Sequence, residues 1–451
     1  MSLALYRLFY FVFWTLSFPL SLLSNKLKLG LKGRAGLLSR IKVAQTQWAQ
    51  RNLAAKPYWF HFASAGELEQ ALPIAEKIKQ QEPQSSILFT YFSPSGAKGI
   101  GLEKARRENA GKLPPWDHAD YLPLDLPWSV LNFLKLVRPK ALILINREIW
   151  PELIIQSHQK QIPIFLFSAF FPSAKSRMLK FWLPYLKYVK CIGTVGESST
   201  QILLQLEPSL PVHSLGDTRI ERVLERQKLQ SAPPAWGSFI PNKQLLVAAS
   251  LWKEDFEALK PSIEAMTQKF PQWRWCLVPH EPDESFILEI RNWGKSKNIL
   301  FRRFSHFLET PDEVSPLIMD KVGYLAELYR FSSIAFVGGS FKKKVHNILE
   351  PAAYQNSILT GPKIQNSFEA QEMALSNQGL TQVDSAEKLQ LELVKRASNA
   401  ALISIEGKAA YQYLIQRLGA SQAYYQMIAS HHDSSKTKIP ALTSKPILTQ
   451  N

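Results

Sequence analysis

Cysteine is almost absent from this chain. Cys191 and Cys276 are the only two in 451 residues, and each lies inside an apolar run in a different half. Two distant thiols in apolar surroundings read as core packing, not as a disulfide framework or a cysteine metal site, and they fit a reducing compartment. Metal-ligand spacing is lacking too: there is no His-Glu-x-x-His pattern or comparable cluster, so neither a protein-held catalytic metal nor a cofactor is expected. Acidic residues are outnumbered, 37 Asp and Glu against 54 Lys and Arg, which leaves a formal net charge of +17. That excess favours anionic partners: nucleic acid, acidic lipid headgroups or phosphorylated substrates. With no arginine-rich tail and no aromatic RNA-binding motif, nucleic acid is not an expected partner. No repeat recurs at a fixed period, which excludes a solenoid.

Long apolar runs are also missing, with one exception. From Leu8 to Leu23 nearly every residue is apolar, Pro19 included, and Lys26, Lys28, Lys32, Arg34 and Arg40 come next. The run is shorter than the ~20 residues of an ordinary spanning helix. It is long enough to span with snorkelling flanks or to lie in one leaflet. A signal peptide is the other reading, but the run has no small-residue cleavage site after it. We therefore expect an uncleaved anchor over residues 1–25, with the cations placing the rest of the chain on the cytoplasmic side of the membrane.

Beyond the basic stretch, short apolar runs alternate with amphipathic ones. Tyr58–Ala63, Ile87–Tyr91, Ala141–Asn146, Ile164–Ala169, Cys191–Val195 and Val212–Leu215 read as strands, with helices over Glu67–Gln81 and from Pro151. Residues 225–243, with Pro233, Pro234, Gly237 and Pro241, read as a linker. Alternation then resumes with Leu245–Ala249, Trp275–Pro279, Pro316–Met319, Ile334–Val337 and Ile358–Leu359, and a last helix is expected from Lys408 to Ala429. The pattern predicts an α/β chain of two parallel-sheet domains, residues 26–224 and 244–430, with a cleft between them and a disordered tail over 431–451. Ligands of such sheets bind beyond the carboxyl ends of strands.

Three segments at those ends carry polar chemistry. Ala63-Ser64-Ala65-Gly66-Glu67 comes directly after the first strand. Ser64 and Glu67 have capping-box spacing, so Glu67 either receives the backbone N–H of the cap residue or acts as a general base beside an open Gly66. Asn146-Arg147-Glu148-Ile149-Trp150-Pro151 ends another strand. Glu148 there is either an ordinary loop residue before a helix or a group that orients a substrate. Val337-Gly338-Gly339-Ser340, Lys342-Lys343-Lys344 and His346 to Pro351 join a glycine pair, three cations and a helix start, an arrangement that attracts phosphate. It is neither a Walker loop nor a dinucleotide fingerprint, and a lysine run is also an ordinary solvated face. His280, after Pro279, reads as a structural or solvated histidine as readily as a functional one.

Taken in order, these motifs resemble the Kdo transferase family. Gly33-Arg34-Ala35-Gly36-Leu37 stands after the anchor as it does in that family. His61 to Glu67 is similar to the segment bearing the family's proton-accepting glutamate, and Glu148-Ile149-Trp150-Pro151 to its Glu-Leu-Trp-Pro segment. Gly216-Asp217-Thr218-Arg219 resembles Gly-Asn-Leu-Lys. In the second half, Ala249-Ser250, Val278-Pro279-His280-Glu281 and Asp320 to Leu325 resemble donor-side segments. So do Val337 to Ser340, His346 to Pro351, and Gly361-Pro362 with Asn366 and Phe368.

The resemblance implies a membrane-associated enzyme of the two-domain GT-B fold. It would transfer Kdo, an acidic eight-carbon sugar, from CMP-Kdo to a lipid A precursor with inversion, at the anionic surface of the inner membrane. It implies that Glu67 is the base and that Glu148 and Arg219 support the transition state. Ser250, Pro279, His280, Val322, Gly323, Tyr324, Gly338, Gly339, Ser340, His346, Asn347, Ile348, Leu349 and Glu350 are then expected to line the nucleotide-sugar site. Three departures gather there: His280 for an arginine, Tyr324 for a glutamate, and Lys344-Val345 for a glycine pair. The donor is accordingly CMP-Kdo or a relative of it. Two other readings stand beside this one: a GT-B enzyme using another nucleotide sugar, and a non-catalytic basic module on membrane surfaces.

Overall fold

The computed structural model describes residues 3–229, 237, 244–311 and 315–432. By contact the chain separates into two compact units, Met1–Arg222 with Gly419–Asn451, and Val223–Leu418.

The first unit holds a seven-stranded sheet. Its strands are β1 (Tyr58–Phe62), β2 (Ile87–Tyr91), β3 (His118–Tyr121), β4 (Ala141–Ile145), β5 (Ile164–Ala169), β6 (Cys191–Thr194) and β7 (Val212–Ser214). Their order is β3-β2-β1-β4-β5-β6-β7, and every pairing is parallel. β1 is an interior strand beside the central β4, with Tyr58 in register with Ile87 on one side and Ala141 on the other. All residues of β1, β2, β4 and β5 are buried, which is why they read as continuous apolar runs.

Side chains alternate across that sheet. Trp59, Leu142, Leu144 and Leu166 face a core shared with helices Leu37–Gln50 and Pro127–Val137, while Tyr58, Phe60, Phe62 and Phe89 face helix Ala65–Gln81. Tyr424 and Ile428 of the final helix, Ala420–His432, belong to this second core. Burying a large apolar side chain of this kind contributes about 1.5–3 kcal/mol.

The second unit repeats the architecture. Its strands are β8 (Leu245–Leu251), β9 (Arg274–Pro279), β10 (Arg302–Arg303), β11 (Leu317–Ile318), β12 (Ser332–Val337), β13 (Ser357–Thr360) and β14 (Leu380–Gln382). The order is β10-β11-β9-β8-β12-β13-β14, again with every pairing parallel. Two parallel sheets flanked by helices form a GT-B-like α/β architecture. In each sheet the strand order reverses beside the central strand, between β1 and β4 in one and between β8 and β12 in the other. Such reversals open a crevice at the carboxyl ends of the strands.

The expected single helix from Lys408 to Ala429 is instead two helices, Ala400–Ile415 and Ala420–His432. Gly419 between them has φ +107°, which a helix cannot continue through. The break passes the chain back from the second unit to the first, so the last helix belongs with the first unit and not with residues 244–418. β3, β10 and β14 were not anticipated, being short or partly polar. Of the expected linker, residues 225–229 continue helix Arg219–Leu229, and 230–236 and 238–243 lie outside the described residues. Of the expected tail, His431 and His432 are helical and 433–451 lie outside them.

Candidate functional site

In the first unit the chain leaves β1, turns at Ala63-Ser64 and enters helix Ala65–Gln81. Glu67, in its first turn, folds back on that turn. Its Oε2 accepts hydrogen bonds from Ala63 N at 2.9 Å, Ser64 N at 2.9 Å and the Ser64 hydroxyl at 3.1 Å. The backbone-capping half of the sequence reading is thus present. Only one oxygen performs it: among the described residues Oε1 receives no hydrogen bond. Burial raises the Glu67 carboxyl above the ordinary carboxylate range, and the negative charge of Glu148 raises it further. The Ser64 and Ala63 donors oppose both. An added Cβ on Gly66 would meet only Ser64 Oγ at 3.9 Å, so the surface there is open.

Glu148 stands just past β4, on the other side of the sheet's reversal. Its Oε2 accepts from Trp150 Nε1 at 2.9 Å and faces His61 Nε2 at 3.2 Å. His61 is fully buried in β1, and its Nδ1 lies 3.0 Å from the Thr90 carbonyl oxygen. Both ring nitrogens therefore face oxygen acceptors, which fixes the ring and with it the Glu148 carboxylate. The sequence reading passed over His61 and the indole N–H of Trp150. The available signal was one polar residue inside the otherwise apolar Tyr58–Phe62.

Backbone strain gathers at the same edge. Asn146 (φ 61°) and Ser168 (φ 51°) are left-handed at the ends of β4 and β5, a conformation that costs non-glycine residues of order 1 kcal/mol. Among the described residues, Asn146 Oδ1 is buried there without a hydrogen-bond partner. Arg219 opens helix Arg219–Leu229, and its guanidinium donates to Asp217 Oδ2 from Nε at 2.9 Å and from one terminal nitrogen at 2.7 Å. Gln70 Nε2 also donates to that oxygen, at 3.1 Å, so the arginine is held in place.

In the second unit the carboxyl ends of β8, β9 and β12 bring several expected residues together. Ser250 is left-handed at the end of β8 (φ 55°). The Trp252 indole stacks on the His280 ring at 4.7 Å, and His280 stacks on His346 at 4.4 Å. Trp252 Nε1 donates to His346 Nε2 at 3.2 Å, so the neutral ring carries its proton on Nδ1. Burial lowers both histidines, His346 to about 4. Lys342 Nζ lies 3.7 Å from the Trp252 ring centroid, a cation–π contact.

Gly339 (φ +85°) could not carry a Cβ, which would sit 2.3 Å from the Lys344 carbonyl oxygen. Asp255, which the sequence reading missed, pins this loop. Its Oδ2 accepts from Gly339 N at 2.7 Å and Trp252 N at 3.0 Å, and its Oδ1 accepts from Phe341 N at 3.2 Å. The clue was the three-residue spacing of Trp252 and Asp255 at a helix start.

Other expected residues make local contacts within the second unit or stand at its surface. The buried Ser340 hydroxyl accepts from Gly361 N at 2.7 Å and lies 3.0 Å from Thr360 Oγ1. Pro279 closes β9. Asn347 Oδ1 accepts from Leu349 N at 3.0 Å, Ile348 and Leu349 are buried, and Glu350 lies 3.8 Å from Arg226. Tyr324 packs on Phe304 at 5.1 Å, in an apolar cluster apart from the histidine stack. Its neighbours Val322 and Gly323 (φ +98°) stand at the surface with open space around the glycine.

Cys191 and Cys276 are buried and unbridged, and burial pushes both thiols up to about 12. Among the described residues no group of three or more His, Cys, Asp or Glu is placed to hold a metal.

Residues 31–222 match the family model described as 3-Deoxy-D-manno-octulosonic-acid transferase (kdotransferase). The chain is 28% identical to the 3-deoxy-D-manno-octulosonic acid transferase of Haemophilus influenzae over 386 residues, 82% of this chain and 86% of the relative. It is 27% identical to the Aquifex aeolicus protein of the same name, over 78% of this chain and 89% of the relative. A UDP-GlcNAc 2-epimerase from Neisseria meningitidis, bound to UDP-GlcNAc, shares the fold with a TM-score of 0.60 at 14% identity. That match covers 83% of this chain and all of the epimerase. Together the sequence matches support a glycosyltransferase of the Kdo-transferase-related family.

Proposed function

We propose that the chain transfers Kdo from CMP-Kdo to a lipid A precursor, with inversion, at the cytoplasmic face of the inner membrane. The observation that carries this reading is the divided Glu67 carboxylate. One oxygen is fixed by three donors, the other has no partner among the described residues, and the carboxyl's affinity for a proton is raised by burial and by Glu148. A group so placed suits removal of one proton from an acceptor hydroxyl. The hydroxyl oxygen forms a bond to the anomeric carbon as the bond from that carbon to the CMP phosphate breaks. The proton passes to Glu67, and CMP leaves with the electron pair.

Glu148, fixed by His61 and Trp150, supplies a second negative charge, suited to the positive charge that develops at the anomeric carbon. Arg219, held by Asp217, supplies the cation for the departing phosphate. In the second unit the loop Gly338–Ser340, the lysines at 342–344 and the stack of Trp252, His280 and His346 take the nucleotide.

The test is mass spectrometry of lipid A precursor incubated with protein and CMP-Kdo. A mass increase of one or more Kdo residues is expected, and an unchanged acceptor overturns the proposal. The aromatic stack, where an arginine is expected from the resemblance, favours one rival, a different nucleotide sugar. A panel of donors separates the two, and preference for a UDP-sugar supports the rival.

A further inference from the structure

The N-terminal helix, Leu3–Leu20, is apolar and long enough to cross a membrane by length and composition. Its contacts point elsewhere. Leu3, Tyr6, Arg7, Tyr10, Trp14 and Ser17 recur at helical spacing and form one stripe. That stripe is docked on the first unit. The Tyr6 hydroxyl donates to Asp125 Oδ2 at 2.7 Å. Arg7 donates to both oxygens of the fully buried Glu152, at 2.7 and 3.0 Å. Tyr10 meets Trp150 edge-on at 6.3 Å, Trp14 packs in a cluster with Leu126, and Ser17 is buried.

Asp125 also accepts from the backbone N–H groups of Glu152 and Leu153, so the helix is clasped to the start of helix Pro151–Gln159. From Leu3 to Ser17 the stripe covers most of an 18-residue helix, about 27 Å at ~1.5 Å per residue. A helix held along that length by a folded unit cannot stand across a bilayer unless the unit enters the bilayer with it.

The opposite arc is apolar and exposed, at Leu8, Phe9, Val12, Phe13 and Leu16. The chain continues into exposed Leu22 and Leu23, then into helix Asn25–Arg34, where Lys26, Lys28 and Lys32 face solvent beside exposed Leu29. Apolar side chains flanked by lysines match the boundary between acyl chains and anionic headgroups.

We propose that this helix lies in the plane of one leaflet, with its outer arc in the headgroup–acyl boundary of an anionic bilayer and its inner stripe on the first unit. The enzyme is then held flat on one side of the membrane and does not cross it.

The test uses the full chain with a cleavable tag at each end, reconstituted in phosphatidylethanolamine–phosphatidylglycerol vesicles and treated with external protease. Intact mass then reports both tags on each molecule. Loss of both tags or of neither is the expected result. Molecules that lose one tag and keep the other would show a spanning helix and overturn the proposal. In flotation, Phe9→Glu combined with Leu8→Glu should lower vesicle binding roughly ten- to a hundredfold with unchanged circular dichroism. Wild-type binding should also fall when phosphatidylglycerol is replaced by phosphatidylcholine. Undiminished binding by the double variant overturns the proposal. So does a concentration-dependent dimer in lipid-free buffer that the double variant abolishes, since the arc would then serve a second copy of the chain.

Discussion

Replacing Glu67 by glutamine separates the capping contacts its carboxylate makes from the base role proposed for it. The amide oxygen can take the place of Oε2 and keep Ala63 N, Ser64 N and the Ser64 hydroxyl satisfied. A donor aimed at a charged oxygen is worth about 1.5–3 kcal/mol, and one aimed at a neutral oxygen about 0.5–1.5 kcal/mol. The exchange therefore weakens the three bonds by roughly 3–4.5 kcal/mol in total. Against that loss stand the burial and the repulsion from Glu148, which a neutral amide escapes.

The proton decides the sign. The folded carboxyl binds it more tightly than an unfolded one, so the penalties on the charge outweigh the donors. Stability from the protonated form is full below the unfolded pKa and is lost as pH rises through the folded one. At neutral pH, then, Glu67→Gln should melt no lower than wild type, while Kdo transfer falls ~10²–10⁴-fold with loss of the base. CMP affinity should stay within about threefold. Product formation by mass spectrometry, a thermal melt and calorimetric CMP titration measure the three quantities. Turnover within threefold of wild type would refute the base assignment, and activity lost together with the fold would refute the division of labour between the two oxygens.

Trp150→Phe keeps the ring against Tyr10 and His61 but removes the N–H that holds Glu148 Oε2. kcat should fall about tenfold with KM nearly unchanged, at a stability cost of ~1 kcal/mol; a change confined to KM would count against it. The acid limb of kcat/KM should lie above that of an ordinary carboxylate, because the proposed base acts only when deprotonated and the Glu67 proton is held more tightly. In Glu148→Gln the residual activity should show that limb at lower pH, and an unmoved limb would exclude Glu148 as its cause. Asp255→Ala leaves three backbone N–H groups without their acceptor, those of Gly339 and Phe341 in the glycine loop and that of Trp252. At about 1–3 kcal/mol for each one left buried, the variant should melt several degrees lower and bind CMP at least tenfold more weakly. Differential scanning fluorimetry and titration test this.

Most strands were legible because parallel sheets buried on both faces demand unbroken apolar runs, and Ile87–Tyr91 and Ile164–Ala169 were placed at their exact limits. β10 has two residues and β14 three, too short for any periodicity to register, and β3 begins with half-buried His118. The final helix was misjudged because its apolar spacing runs on past the break, and Gly419 alone marks the turn. At the site, Glu67 was visible as half of a cap, since spacing of three is a local property. Its free oxygen was not visible, because that depends on where Ala63 N and Glu148 lie in space. His61 and Asp255 escaped notice for the same reason: their partners, Thr90, Glu148, Gly339 and Phe341, are distant in sequence.

The return of the last helix bears on how the protein is made. Tyr424 donates to the Gly216 carbonyl oxygen at 2.8 Å and accepts from Ser168 N at 3.0 Å, and its ring lies 4.4 Å from Phe167, beneath the edge that bears Arg219. The first unit is thus begun by residues that leave the ribosome before the second unit and completed by residues that leave after it. The intervening unit, continuous in sequence, has all its strands before that helix emerges. Folding in order of synthesis would let the second unit close first while the first waits with an open core. A chain released before Tyr424 would carry a finished second unit and an unfinished first, which makes translation past that residue a condition for assembling the Glu67 edge.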